Sequence, residues 1–420
     1  MTTSADQRVE GLADFYRDLH RHPELSFQEH RTGQRVLAAI DGLGLDVHTG
    51  LGGTGVAAVL RNGEGPVVLL RADMDALPVQ EKTGLEYASV ETATDPDGHT
   101  VPVMHACGHD MHVACLVGAL RVLHAARADW SGTVVAVFQP AEERGSGAKA
   151  MVEDGLFDRV PVPDIVLGQH VAPLLAGQLA YRPGVAMAAA DAITIRLFGR
   201  GGHGSRPETT VDPVVLASSV VLKLQTIVSR ELAALTPAVV TVGYVRAGTK
   251  HNIIPEEAEL GLSVRSFAPE VRQQIFAAIE RIVRGEAQAA GCPKEPEVVR
   301  QEGFDALEND PVATERLAAA FRGRFGPERV FELPEPITGS EDVGVFGLAA
   351  GAPTVFWFWG GFTQETFDAA AGHVPSNHAP DFAPRDRADS FHRGGRARVS
   401  GAHMACLTEG HTEPHVDESL

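Results

Sequence analysis

Cysteine is scarce in this 420-residue chain, and its four cysteines, Cys107, Cys115, Cys292 and Cys406, are scattered. So few and so scattered cysteines exclude a disulfide framework. The N-terminal stretch 1–10 is polar and lacks the apolar centre of a signal peptide. No apolar run approaches the roughly 18 residues that a membrane-spanning helix needs. These absences predict a cytoplasmic protein without a membrane segment.

Positive charge is also in deficit, since 36 Lys and Arg face 55 Asp and Glu and leave a net charge of −19. A general nucleic-acid-binding protein would show a basic face, so we expect no nucleic-acid partner. The sequence has no internal repeats, and Gly199–Gly202 does not complete the GxGxxG frame of a dinucleotide-binding motif. A negative net charge does not exclude local positive pockets that bind anionic substrates.

Short apolar runs alternate with helical patterns through the first part of the chain. The candidate strands are 56–60, 67–71, 133–138 and 165–167, and the candidate helices are 4–20, 31–40, 113–127 and 148–153. This alternation is typical of an α/β fold with a mixed, largely parallel sheet and helices on both faces. Ligands of such sheets bind at the carboxyl ends of the strands.

A second pattern begins after the small-residue stretch 186–190. Strands and helices then follow in the order βαββαβ, at 192–198, 212–231, 239–245, 259–265, 269–290 and 297–300. That order predicts an inserted ferredoxin-like α+β domain. We therefore predict a catalytic domain in two parts, 1–187 and 303–383, separated by an inserted domain over 188–302. The tail, 384–420, is rich in Arg, His and Gly and predicts no packed element.

The stretch Met104–His112 holds three histidines, a cysteine and an aspartate. Cys107 and His109 flank a glycine, so a tight turn can aim both side chains at one point. Thiolate and imidazole are common ligands of zinc-type ions. The alternative interpretation is a polar loop with a buried free cysteine and solvated histidines.

Three more candidate ligands fall at predicted strand ends or in loops: Glu143, His170 and His378. Taken singly, Glu143 could be a solvated carboxylate, His170 a core histidine and His378 an ordinary loop residue. Together with Cys107 and His109, however, all of them lie where the α/β rule places a site. Five ligands exceed the needs of one tetrahedral ion and predict two divalent ions. Zinc, manganese, cobalt and nickel all suit these ligands.

Carboxylates accompany these candidate ligands. Glu142 directly precedes one of them, so we predict that it acts as general base toward water and then as acid toward a leaving nitrogen. Asp75 is predicted to fix the tautomer of a ligand histidine. Asp73 and Asp110 are further candidates for that positioning role.

Seven motifs resemble the amidohydrolase family of hippurate hydrolases, which includes plant auxin-conjugate hydrolases and bacterial N-acyl-amino-acid amidohydrolases. This family lies within the two-metal aminoacylase and carboxypeptidase group. The similarity covers about 12–383, and its motifs are Arg71–Pro78, Met104–His112, Phe138–Glu143, Gly199–Gly204, His251–Pro255, Gly339–Asp342 and Ser376–Pro380. The resemblance implies the same five metal ligands, Glu142 as base, and an inserted domain that commonly mediates dimerisation.

The resemblance also lends substrate or oxyanion roles to His203, Asn252 and Arg265. A histidine after paired glycines can donate to a developing oxyanion, and the fork of Arg265 suits a substrate carboxylate. Alternatively, Asn252 could hold a turn and Arg265 could pair with a nearby acid. The chain departs from the family pattern at Glu208, where many relatives carry histidine, and in the tail. There we expect the usual final helix to be absent.

The leading hypothesis is therefore a metal-dependent amidohydrolase that cleaves an N-acyl amino acid into a carboxylic acid and an amino acid. A dipeptidase or carboxypeptidase could use the same machinery. A catalytically impaired relative would bind metal or ligand without turnover, and a cysteine hydrolase would use Cys107 as nucleophile. The resemblance further implies a homodimer or a dimer-based oligomer.

Overall fold

The computed structural model describes residues 11–370 and 374–384. They form two compact units, and the second comprises Met187–Leu307 with Pro336–Glu341. The first unit takes in the described residues up to Ala186, Glu308–Glu335 and those from Asp342 onward. The second unit thus includes a short segment, Pro336–Glu341, that the sequence assigned to the catalytic part. The expected loss of the final helix concerns the tail, which lies outside the described residues from 385 onward.

The elements before the insertion are nine strands and five α-helices among the described residues. The strands are β1 (Asp46–Leu51), β2 (Gly55–Asn62), β3 (Val67–Asp73), β4 (Thr92–Thr94), β5 (Thr100–Pro102), β6 (Gly132–Gln139), β7 (Ile165–Leu175), β8 (Leu179–Tyr181) and β9 (Gly184–Met187). The helices are α1 (Leu12–Arg21), α2 (His30–Ile40), α3 (His109–Ala125), α4 (Gly147–Glu153) and α5 (Leu156–Arg159).

The remaining elements complete the second unit and return to the first. The inserted stretch holds β10 (Ala189–Phe198), β11 (Gly202–His203), α6 (Pro213–Thr226), β12 (Ala238–Ala247), β13 (Ile253–Ile254), β14 (Glu257–Ser266), α7 (Pro269–Ala289) and β15 (Glu297–Phe304). The last stretch holds β16 (Leu307–Asn309), α8 (Pro311–Phe325), β17 (Val330–Glu332), α9 (Gly344–Ala350), β18 (Thr354–Phe362) and α10 (Gln364–Ala369).

The first unit is built on one eight-stranded sheet in the order β1-β2-β6-β3-β7-β18-β8-β17. Its four central strands, β6, β3, β7 and β18, are parallel. The pairs β1–β2, β2–β6 and β8–β18 are antiparallel, and the edge strand β17 is parallel to β8. Every residue of β6 and of β18 is buried, because helices cover both faces of the sheet. The predicted mixed, largely parallel α/β sheet is confirmed.

Helix α3 is the element that links this core to the histidine-rich motif. Its residues Val113, Leu116 and Leu120 are fully buried and share a hydrophobic cluster with Leu70 and Phe138 of the sheet. Burial of such side chains contributes roughly 1.5–3 kcal/mol each. Because α3 begins at His109, this packing also fixes the position of the motif.

The second unit contains a four-stranded antiparallel sheet in the order β12-β14-β10-β15. With α6 and α7, its elements follow the βαββαβ order of the ferredoxin-like pattern. Among the described residues, the helical stretch Pro213–Glu231 is long and apolar enough to cross a membrane. Its length and composition are only weak evidence for a membrane span, because the core helices of soluble proteins meet the same criteria. Here Leu216, Val220 and Leu224 pack into the core of the unit.

Candidate metal centre

The candidate centre lies where two central strands of the first unit end. Asp73 is the last residue of β3, and Gln139 is the last residue of β6. The sequence predicted that His170 follows a third strand, but His170 lies inside β7. The reason is that β7 continues to Leu175 in parallel register with β18, so that His170 pairs with Phe358.

A glycine with a left-handed backbone separates Cys107 from His109. Gly108 has φ of 84°, and a Cβ at this position would lie 2.5 Å from Val171 Cγ1. Both the positive φ and the close approach exclude a larger residue. The glycine therefore lets the chain turn sharply into α3, which brings Cys107 and His109 to the same side.

The structure brings all five predicted ligands together. One ligand atom each from Cys107, His109 and Glu143 lies within 4.8 Å of the others. Cys107 Sγ is 3.4 Å from His170 Nε2, and His378 Nε2 is 3.3 Å from Glu143 Oε1. His378 adopts φ of 70°, a conformation that non-glycine residues rarely take and that often occurs at functional sites.

Hydrogen bonds fix the tautomers of two of these histidines. His109 Nδ1 donates to Asp75 Oδ1 at 3.3 Å, and His170 Nδ1 donates to the Val171 carbonyl at 2.7 Å. In the neutral form of each ring, Nε2 therefore carries the lone pair. His109 Nε2 is buried and has no hydrogen-bond partner among the described residues. A carboxylate–histidine pair with a free Nε2 is the usual arrangement around a protein-bound metal ion.

The electrostatics of the cluster also fit a cation. Burial raises the pKa of the Cys107 thiol well above its usual range, and the negative charges of Glu143 and Glu142 raise it further. Burial lowers the pKa of His109, but the neighbouring carboxylates, led by Asp73 and Asp75, raise it to about 10. Buried donors with excess negative charge are stabilised by a divalent ion, so these residues fit the metal centre that the sequence predicts.

Asp75 also organises the turn that carries Glu142 and Glu143. The backbone N–H groups of Glu142 and Glu143 donate to Asp75 Oδ1 and Oδ2, each at 3.1 Å. Glu142 is 6% exposed, and its Oε2 lies 3.8 Å from His109 Nε2. Glu142 thus lies beside the candidate ligands.

Asp73 and Asp110 form hydrogen bonds with histidines that are not among the five candidate ligands. Asp73 Oδ1 accepts from His112 Nδ1 at 2.6 Å, and His112 Nε2 accepts from the Val171 N–H at 2.9 Å. Both ring nitrogens of His112 thus form hydrogen bonds, and this buried histidine connects α3 to β7. Asp110 Oδ2 accepts from His20 Nδ1 at 2.7 Å and does not orient a ligand.

His20, the partner of Asp110 near the end of α1, is fully buried. Its Nε2 lies 3.2 Å from Glu81 Oε1. Burial lowers its pKa, but hydrogen bonds and charges from Asp110 and Glu81 raise it to about 9.

Stability is therefore expected to depend on pH through His20. Since the folded-state pKa of about 9 exceeds the ordinary value of 6.5, the contribution is complete below pH 6.5 and is lost as the pH rises through 9. Urea unfolding of the wild type and of His20→Gln should show a stability difference that shrinks by about 3 kcal/mol from pH 6 to pH 10. A difference that stays constant across this range would show that His20 is not charged in the folded state.

Asn377 is a further site residue that the sequence did not single out. Its Nδ2 lies 3.3 Å from the Cys107 carbonyl and 3.4 Å from the Val171 carbonyl. The backbone N–H of His378 donates to the Ala106 carbonyl at 2.8 Å. These contacts tie the loop of His378 to the turn of Cys107. The sequence signals were that Asn377 directly precedes a candidate ligand and lies within the motif Ser376–Pro380.

The three predicted substrate residues all lie in the second unit. His203 is in β11, which pairs with β13, and the N–H of Gly204 donates to the Asn252 carbonyl. His203 Nδ1 also accepts from Ser205 Oγ at 2.8 Å. Arg265 lies in β14 and donates to Ser340 Oγ at 2.6 Å. His203 and Asn252 are thus neighbours, and Arg265 contacts a hydroxyl instead of the acid that was the alternative.

Known proteins share both the sequence and the fold. A model of peptidase family M20/M25/M40 matches residues 69–385. The hippurate hydrolase of Campylobacter jejuni is 38% identical over 330 residues, which is 78% of this chain and 82% of that protein. The N-acyl-L-amino acid amidohydrolase of Geobacillus stearothermophilus is 40% identical over 282 residues, 66% of this chain and 73% of that protein.

A solved structure extends the similarity to the whole fold. The YXEP protein of Bacillus subtilis, a dinuclear metal binding peptidase from the M20 family, superposes with a TM-score of 0.74 at 29% identity. The match covers 96% of this chain and 99% of that protein. The family match over 69–385, the curated relatives and this structure agree with one another. The chain belongs to peptidase family M20/M25/M40.

Proposed function

We propose that this protein is a metal-dependent amidohydrolase that converts an N-acyl amino acid to a carboxylic acid and an amino acid. The observation that carries the proposal is the gathering of five donor side chains around the turn that presents Glu142. Two relatives whose names state hydrolysis of hippurate and of N-acyl-L-amino acids support the substrate class.

In this proposal the ligands of two divalent ions are Cys107, His109, Glu143, His170 and His378. When bound, such a pair of ions lowers the pKa of water and polarises an amide carbonyl. The thiolate and imidazoles suit zinc, and the carboxylate also allows manganese, cobalt or nickel.

Glu142 would move the proton in both halves of the reaction. Its carboxylate accepts a proton from the attacking water and passes that proton to the amide nitrogen, which leaves as an amine. Because Glu142 is only 6% exposed, its carboxylate is shielded from bulk water. Asp75 would hold the turn of Glu142 and the ring of His109 at once, because it accepts hydrogen bonds from both.

The second unit would supply the contacts to the rest of the substrate. We propose that Arg265 binds the carboxylate of the amino acid, because its guanidinium offers a forked pair of donors. His203 and Asn252 would donate to the carbonyl oxygen or to the acyl part. The insertion would then serve as a lid, and the enzyme would act in the cytoplasm.

The second unit would also form a homodimer. Two of its elements expose apolar side chains: Val215 and Leu222 of α6 are 66% and 72% exposed, and Val245 of β12 is 50% exposed. β12 is also an edge strand of its sheet, so it can pair with another chain. Light scattering on the full chain should therefore give twice its mass of 44.6 kDa. A mass of 44.6 kDa at micromolar concentration would contradict the dimer.

A panel of substrates tests the proposed function. Metal-loaded protein is incubated with hippurate, several N-acetyl amino acids and unblocked dipeptides, and the released amino groups are measured. We expect turnover of N-acyl amino acids and little turnover of dipeptides. Preference for dipeptides would instead indicate a dipeptidase with the same machinery. Metal binding without any turnover would indicate a ligand-binding relative.

A further inference from the structure

A buried carboxylate outside the ligand set lies behind the catalytic turn. Glu29, at the start of α2, is fully buried. Its Oε1 accepts from the backbone N–H groups of Phe27 and Ala141, each at 2.9 Å. Its Oε2 accepts from the hydroxyl of Thr54 at 2.5 Å. Glu29 therefore joins the N-terminal segment and the turn before β2 to the turn that follows β6.

The contact with Ala141 falls at a strained point of the chain. Ala141 has φ of 50°, in the left-handed region that side chains other than glycine rarely adopt. Such a conformation costs about 1–3 kcal/mol and persists only when surrounding contacts enforce it. The hydrogen bond to Glu29 is one such contact, and the residues that follow Ala141 are Glu142 and Glu143.

Two carboxylates together hold three successive amides of this turn. Glu29 accepts from the N–H of Ala141, and Asp75 accepts from the N–H groups of Glu142 and Glu143. Ser26 Oγ donates to Asp75 Oδ2 at 2.7 Å, so the N-terminal segment supports both acceptors. The side chains of Glu142 and Glu143 can only take their positions relative to His109 while this backbone is held.

We propose that Glu29 is a positioning residue, which acts through Ala141 to place Glu142 and Glu143 for metal binding and proton transfer. The inference rests on the proposed function for its catalytic part, and on the candidate ligand Glu143 for its metal part. What the contact requires is a hydrogen-bond acceptor for Ala141 rather than a negative charge. A glutamine at this position could accept from Ala141 and donate to the hydroxyl oxygen of Thr54.

The pKa of Glu29 also indicates that an acceptor, rather than a negative charge, is what the contact requires. Burial raises the pKa of Glu29, and the charge of Asp75 raises it further, to about 7. Near neutral pH both forms of the carboxyl group are then populated. A protonated Glu29 can keep its Oε1 as acceptor and donate from Oε2 to Thr54, as the amide of glutamine would.

The experiment compares Glu29→Ala and Glu29→Gln with a matched control, Asn62→Ala. Asn62 Nδ2 donates to the carbonyls of Arg127 and Trp130, and Asn62 ends β2 opposite Gly132, the first residue of β6. The site follows the last residue of β6, so the control weakens the other end of the same strand. Binding of Zn²⁺ and Mn²⁺ to the full chain is measured by calorimetry, with kcat and KM on the best substrate.

We expect Glu29→Ala to weaken the affinity for the metal ions by about tenfold or more and to lower kcat by a similar factor, as loss of a supporting contact does. KM should change little, because the substrate contacts lie elsewhere. Glu29→Gln should restore both values to near those of the wild type. Asn62→Ala should lower the melting temperature while metal affinity and kcat stay unchanged.

Several outcomes would overturn the positioning role. Wild-type metal affinity and kcat in Glu29→Ala would do so, as would an equal loss in Asn62→Ala at a similar melting temperature. If Glu29→Ala does not fold, Glu29→Asp replaces it, since its shorter side chain withdraws from Ala141 but keeps the charge. A defective Glu29→Asp beside a normal Glu29→Gln supports the proposal, and the reverse pattern refutes it.

Failure of the proposed function gives a different result. If the wild type hydrolyses nothing on the panel, the substrate class is wrong. The metal-binding comparison between Glu29→Ala and Glu29→Gln still tests the positioning role in that case. If the wild type is active but Glu29→Ala binds metal and turns over normally, the function stands and the positioning role falls.

Discussion

Replacing Glu142 by glutamine is expected to lower kcat on the best N-acyl amino acid by about 10³-fold, within the range that general acid–base catalysis contributes. Glutamine keeps the size of the side chain and leaves the backbone contact of residue 142 with Asp75 in place. It cannot accept the proton of the attacking water, however. Because Glu142 lies beside the ligand cluster, we expect metal binding to stay intact.

Two measurements make this prediction specific to proton transfer. Calorimetry should show the same number of bound ions in Glu142→Gln and in the wild type, and KM should change by less than about threefold. Loss of an ion from the variant would instead show that Glu142 is a ligand. A kcat within tenfold of the wild type would show that another group serves as base.

Removal of the metal ions is expected to abolish turnover. Dialysis against a chelator should lower kcat below detection, and addition of Zn²⁺ or Mn²⁺ should restore it. The physical reason is that the two ions would lower the pKa of the attacking water and polarise the amide carbonyl, so both effects are lost with them. Without a cation, the charges of Glu143 and Glu142 also raise the pKa of the Cys107 thiol and disfavour the thiolate.

The same measurement decides against a cysteine nucleophile. A hydrolase that attacks through Cys107 would keep its activity after chelation, and alkylating reagents would inactivate it equally with and without metal. In a metal centre, bound ions should protect Cys107 from alkylation. Activity that survives chelation, together with a metal ion content of zero, would contradict the proposal.

The sequence was sufficient to predict the elements with strong patterns. The largely apolar runs of β3 and β6 predicted a buried, largely parallel sheet. The five candidate ligands, at predicted strand ends or in loops, do come together. The Cys107-Gly108-His109 turn was predictable because both its chemistry and its geometry are local. Glu142 could be named because it directly precedes a ligand.

Contacts between segments that are distant along the chain could not be predicted from the sequence. His170 was placed after a strand because only the apolar part of β7 was recognisable, whereas its pairing with β18 extends the strand to Leu175. Asp110 was a candidate for positioning a ligand histidine, but its carboxylate accepts a hydrogen bond from His20 instead. Glu29 gave no signal, since its partner Ala141 lies 112 residues away.

Anomalous diffraction from crystals grown with Zn²⁺ would locate the metal ions directly. We expect two peaks in the first unit, both contacted by side chains among Cys107, His109, Glu143, His170 and His378. Glu142 should lie beside these peaks without ligating either ion. A single peak, a peak away from these five residues, or Glu142 bound directly to the metal would contradict this expectation.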